Sequence, residues 1–112
     1  EKTDRAVEKA SIFIDTNINK PIKRLKMKTM LGKVVSDIES GNRLVLQNEE
    51  LIVQSIFSNL EKYDVEETVF IDLLVSEYSK LFTIEYSEDY RYAFFLLILM
   101  KVEENIYEYS DI

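Results

Sequence analysis

Apolar residues return every three or four positions along most of this chain, the period of a helix that buries one face. Val7, Ala10, Phe13, Ile14 and Ile18 form the first such stripe and predict a helix over about Thr3 to Asn19, closed by Asn17, Asn19 and Pro21. The next stretch is less regular. A single helix from Pro21 to Ser40 would set Ile22 and Leu25 nearly opposite Met27, Leu31, Val34 and Ile38. One helix cannot present both sets to one core, so residues 19–26 are expected to be a connector with one turn at most. The second helix is then expected to start near Met27, with Met27, Met30, Leu31, Val34, Val35 and Ile38 on one face and Gly41 as its C-cap.

Leu44, Val45 and Leu46 read as a short apolar connector. Asn48 reads as the N-cap of a third helix, with Glu49 and Glu50 in its first turn and Ile52, Ile56, Phe57 and Leu60 inward, ending near Lys62. Asp64 and Glu67 have the spacing of a capping box and open a fourth helix, in which Phe70, Leu73, Leu74, Tyr78, Leu81 and Phe82 face the core. Ser87, followed by Glu88 and Asp89, caps a fifth. That helix is apolar all round from Tyr92 to Met100, which predicts a place at the centre of the bundle, and amphipathic beyond Lys101 through Val102, Ile106 and Tyr107.

These elements give an all-α fold, a compact five-helix bundle around the apolar C-terminal helix. Composition agrees. With only two Gly and one Pro, the chain cannot supply the frequent turns of an all-β fold. Its 112 residues form one domain, and at this size folding buries roughly two-thirds of the unfolded surface. The chain starts without an initiator Met, and the expectation is a fragment of a longer regulator. The longest apolar run, Tyr92 to Met100, is far short of the ~20 residues of a membrane span, so no membrane partner is expected. The Glu-Tyr-Ser tripeptide recurs at 77–79, 85–87 and 108–110 without a fixed period, as composition bias explains. Richness in Ile, Lys, Asn, Glu and Tyr points to AT-rich coding in a low-GC bacterium or its mobile elements.

Candidate chemistry is sparse. There is no Cys and no His, hence no disulfide, no thiolate, no imidazole base and no triad. This suits a cytoplasmic protein that is not an enzyme and needs no cofactor. Glu85 with Glu88 and Glu108 with Asp111 resemble the paired carboxylates of MazG-type nucleotide pyrophosphohydrolases, which would imply magnesium-dependent hydrolysis. In that family the pairs lie on facing helices. Here one straddles a helix start and the other ends the chain, so no metal or catalytic residue is assigned.

Charge is uneven. The chain carries a net −7, yet residues 20–33 hold six of the fourteen basic residues and no acid, leaving eight basic against 21 acidic residues elsewhere, a balance of −13. Lys20, Lys23, Arg24, Lys26 and Lys28 are therefore candidates for contact with a partner, and the acidic remainder argues against nucleic acid as that partner. A protein partner or a second copy, as a homodimer, is expected. Tyr86, Tyr90, Tyr107 and Tyr109 are candidates to line the interface.

The order and spacing of the helices resemble the PTS regulation domain, a five-helix module of bacterial antiterminators and of transcription activators of the Mga and AtxA type. Ala10-Ser-Ile-Phe-Ile-Asp15 matches its first helix. Met30-Leu-Gly-Lys-Val-Val-Ser-Asp-Ile-Glu-Ser-Gly41 matches its second, and Tyr86-Ser-Glu-Asp-Tyr-Arg-Tyr-Ala-Phe-Phe-Leu-Leu-Ile-Leu99 its last. The resemblance implies a regulatory domain. It also implies departures. The family's histidines, which accept phosphate from the sugar phosphotransferase system, correspond to Met30 and Leu97, and an Arg often found on the second helix corresponds to Asp37. Neither Met nor Leu accepts phosphate, so the resemblance implies a degenerate copy that serves dimerisation or signal relay. The alternative is a free-standing phage- or plasmid-encoded adaptor or inhibitor that binds a protein target through its acidic surface.

Overall fold

The computed structural model describes residues 2–60, 72–76 and 86–110, and the described residues form a helical bundle. Helix α1 spans Lys2–Asn17, α2 Pro21–Glu39, α3 Arg43–Leu60 and α4 Glu88–Ser110, with a further helical stretch at 72–76. No described helix is long and apolar enough to cross a membrane.

In α1, Ala6, Ala10 and Ile14 recur every fourth residue and are fully buried. In the last turn Thr16 Oγ1 and Asn17 Nδ2 fold back and donate to the carbonyls of Ile12 (2.8 Å) and Phe13 (2.9 Å), and the Ile18 N–H closes the helix on the Ile14 carbonyl at 3.0 Å.

The expected connector at 19–26 is instead the first part of α2. Pro21 sits in the first turn, where its missing N–H costs nothing, and Lys20 before it is extended (φ −86°, ψ 120°), as a residue preceding proline should be. The Arg24 N–H donates to the Lys20 carbonyl at 2.9 Å. The objection that one helix cannot bury two opposite apolar faces holds. The fold answers it by leaving Ile22 (85% exposed) and Leu25 (69%) in solvent while Met27, Leu31 and Val34 enter the core.

Gly41 ends α2 as expected. Its φ of +77° is a region that side chains with a Cβ enter only with strain. The N–H groups of Gly41 and Asn42 reach the carbonyls of Ile38 (3.1 Å) and Asp37 (3.2 Å), the paired bonds of a Schellman motif. Asn42 then opens α3: its Oδ1 accepts from the N–H groups of Leu44 (3.1 Å) and Val45 (3.4 Å). The N-cap is thus Asn42, not Asn48, and residues 44–46 are helical rather than a connector. Asn48 lies within α3 and is only 7% exposed.

Ser87 caps α4, its Oγ accepting from the Tyr90 N–H at 3.2 Å, with Glu88 and Asp89 in the first turn beside the positive end of the helix dipole. From Ala93 to Met100 every side chain is buried, and α4 packs against α1, α2 and α3. Each large apolar side chain in that run, such as Phe94 or Ile98, contributes on the order of 1.5–3 kcal/mol by leaving water. In the stretch 72–76, Leu74 is buried but Leu73 is 47% exposed, so Leu73 does not face the core as its spacing suggested. The capping box at Asp64 and Glu67, and Phe70, Tyr78, Leu81 and Phe82, lie outside the described residues.

Candidate functional site

Two places bring together the residues singled out by charge and spacing. The first is the amino-terminal half of α2. Lys23 Nζ donates to Asp89 Oδ1 at 2.6 Å and Lys26 Nζ reaches Asp89 Oδ2 at 3.0 Å, so both lysines clamp the first turn of α4. The hydrogen bond from Lys23, and then that from Lys26, hold the Asp89 carboxyl below the usual carboxylate range, and the same bond raises the Lys23 ammonium above its ordinary value. Arg24 turns back on the preceding loop, its Nε and an Nη donating to the Ile18 carbonyl at 3.0 and 2.7 Å. Lys28 meets Asp15 of α1 at 2.8 Å. Lys20 is exposed.

The basic segment is therefore not a uniformly free cationic arm. Lys23, Arg24, Lys26 and Lys28 each bind inside the chain, which accounts for a run of lysines in an acidic protein. What remains available is the face of α2 turned away from the core. There Ile22, Leu25, Thr29, Gly32 and Ser36 are exposed, with Lys26 and Lys33 along one flank and Lys28 along the other.

The second place is the junction of α2 with α4. Tyr90 is buried, against the expectation that it lines an interface, because Tyr90, Phe94 and Leu97 share the inward face of α4. Its hydroxyl donates to Asp37 Oδ2 at 2.5 Å. The Tyr86 ring stacks on it with centroids 4.8 Å apart at 24°, and Lys33 Nζ stands 5.9 Å from its ring centre. Burial, reinforced by the Asp37 carboxylate, pushes the Tyr90 phenol well above its ordinary value of 10.0. Asp37, on the position where the resemblance led one to look for Arg, is thus the acceptor of a polar link between two helices.

Met30 and Leu97 are placed differently. Met30 is half-buried on α2 and packs against the core, whereas Leu97 is fully buried in α4. The carboxylates of the magnesium reading do not form a described site. Glu88 is exposed, Glu85 and Asp111 lie outside the described residues, as do the side chains of Glu108, Tyr107 and Tyr109. Among the described residues no three His, Cys, Asp or Glu side chains cluster as metal ligands would.

Sequence reasoning missed the Asp37–Tyr90 and Glu49–Lys101 links (the latter 2.6 Å, partly buried between α3 and α4), since no spacing rule within one helix reports a contact between two. No protein-family model, no curated protein and no solved structure matches this chain.

Proposed function

We propose that this chain is a regulatory domain of a bacterial transcription regulator, similar to the PTS regulation domain but working without phosphate on histidine. It acts by pairing with a second copy and so sets the geometry of DNA-binding domains elsewhere in the regulator. The observation that carries the reading is the pair Met30 and Leu97. The resemblance aligns them with the family's phosphate-accepting positions; they lie on α2 and α4, two helices that pack together, and neither side chain is a nucleophile. A copy that has lost the phosphate chemistry yet keeps the bundle retains only contact as its means of signalling.

Light scattering over a concentration series, at low and high salt, tests the pairing. Dimers that form as concentration rises support it. A monomer throughout the series overturns it and moves the reading to the adaptor that binds a different protein.

A further inference from the structure

Residues 19–26 are joined to the bundle by polar links. No side chain from Asn19 to Lys26 is buried, and the first residue of α2 to enter the core is Met27. Lys23 and Lys26 hold the segment through the two Asp89 oxygens at 2.6 and 3.0 Å, and Arg24 through the Ile18 carbonyl. Both lysine side chains are more than half exposed, and ion pairs open to water hold weakly. Ile22, 85% exposed, and Leu25, 69%, add nothing to the attachment. A stretch with so few buried apolar contacts opens at a lower free energy than the core beside it.

A cavity of about 230 Å³ adjoins the segment. It is bounded by Ile18 and Met27, which bracket the segment in sequence, by Lys23 within it, and by Glu88, Asp89 and Tyr92 of α4. Its walls are mainly apolar, yet the only side chain of the segment that lines it is Lys23. Ile22 is the residue before Lys23, about 100° round the helix, so unwinding the first turn is enough to exchange one for the other at the cavity. We infer that residues 19–26 are a strap with two settings. In one, Lys23 and Lys26 latch it to Asp89 as the first turns of α2. In the other, the latch is released and the strap closes over the cavity with Ile22 inside. The first setting keeps the helix hydrogen bonds, beginning with the Arg24 N–H on the Lys20 carbonyl, and leaves Ile22 in water. The second gives up those bonds and takes an apolar side chain out of water. Their balance therefore follows the charges on Lys23, Lys26 and Asp89, and whatever draws the two ammonium groups from Asp89 moves the strap. The inference does not rest on the proposed pairing.

Lys23→Gln with Lys26→Gln removes both charges and tests it. Hydrogen exchange followed by NMR compares the N–H groups of Arg24 to Met27, which donate back into the strap, with those of Phe94 to Ile98 in the core. Exchange is expected to quicken about tenfold or more at residues 24–27 and to stay unchanged at 94–98. The Ile22 methyls are expected to gain contacts with the Tyr92 ring that the wild-type chain lacks. Adding Ile22→Ser to this variant takes away the group that fills the cavity and is expected to return most of the lost protection. Protection at 24–27 that survives the loss of both lysines overturns the latch. Protection lost without contact between Ile22 and Tyr92, or not regained with Ile22→Ser, means that the segment frays into water and overturns the closed setting. A loss that spreads to 94–98 shows that the lysines hold the whole bundle rather than a strap, and overturns the inference as well.

Discussion

The Tyr90 hydroxyl donates to Asp37 Oδ2 at 2.5 Å and ties the last turn of α2 to the first turn of α4. The bond joins a buried phenol to a half-buried carboxylate, a charge-assisted arrangement stronger than a neutral pair. Tyr90→Phe removes the donor and keeps the ring, its stacking on Tyr86 and its packing. It is expected to cost about 1.5 kcal/mol, within the range for hydrogen bonds to charged groups. Asp37→Ala is expected to cost a similar amount by leaving a buried hydroxyl without its acceptor. Urea unfolding of both single variants and of the double variant measures the coupling. A double variant that costs the sum of the two singles shows that the bond contributes nothing of its own.

The same link makes stability depend on alkaline pH. The folded state holds the Tyr90 proton more tightly than the unfolded chain does, because burial and Asp37 both disfavour the phenolate. Its contribution is therefore complete below the unfolded value, near 10.0, and is lost as pH rises above it. Other tyrosines and the lysines titrate in that window too, so the comparison that isolates Tyr90 is wild type against Tyr90→Phe. The stability gap between them is expected to be constant from pH 7 to 9 and to narrow above about pH 10. A gap that stays constant to pH 11 means that the phenol is not held neutral by the fold.

The two glycines should answer substitution with opposite signs. Gly41 has φ +77° at the end of α2, where an added Cβ meets no neighbour but strains the backbone. Gly41→Ala is expected to destabilise by about 1 kcal/mol. Gly32 is inside α2, exposed, and also without a neighbour to meet. Gly32→Ala is expected to stabilise by about 0.5–1 kcal/mol, the difference in helix propensity. Thermal unfolding of the two variants decides it, and a loss at Gly32 means that the backbone there is needed for something other than the helix.

Gly41 and Ser87 were legible because each rule used for them is local. A glycine after a periodic run and a serine before two acids report their own backbone, and both stand where the pattern put them. The start of α2 is not legible from periodicity, which reports apolar spacing but not which apolar residues, here Ile22 and Leu25, stay in water. Proline at the first turn, Arg24 on the Ile18 carbonyl and two lysines on Asp89 favour the helix instead, and two apolar side chains stay in water. Asn42 and Asn48 were indistinguishable as caps by residue type. The choice falls to Asn42 because the Schellman turn at Gly41 already positions it, and Val45, buried one turn later, needs the helix to have begun. Tyr90 is buried and not at an interface, and its spacing to Phe94 and Leu97 is the signal in the sequence that places it on the inward face.

Histidine placed at Met30 and at Leu97, the positions that the proposed resemblance aligns with phosphate acceptors, tests the reading and the fold's tolerance together. Wild-type protein incubated with phosphoenolpyruvate and the phosphocarrier proteins of the sugar phosphotransferase system is expected to take up no acid-labile phosphate. Met30 is half-buried on α2, so Met30→His can leave its imidazole at the surface and is expected to fold with a loss below about 1.5 kcal/mol. Leu97 is fully buried, and Leu97→His places a polar ring among apolar neighbours. That variant is expected to lose about 2–4 kcal/mol, from burial of an imidazole without partners and from lost packing. Denaturant unfolding gives both losses and mass spectrometry gives the phosphate. Equal losses at the two positions contradict the burial difference between α2 and α4. Phosphate on the wild-type chain would remove the premise that this domain signals through contact alone.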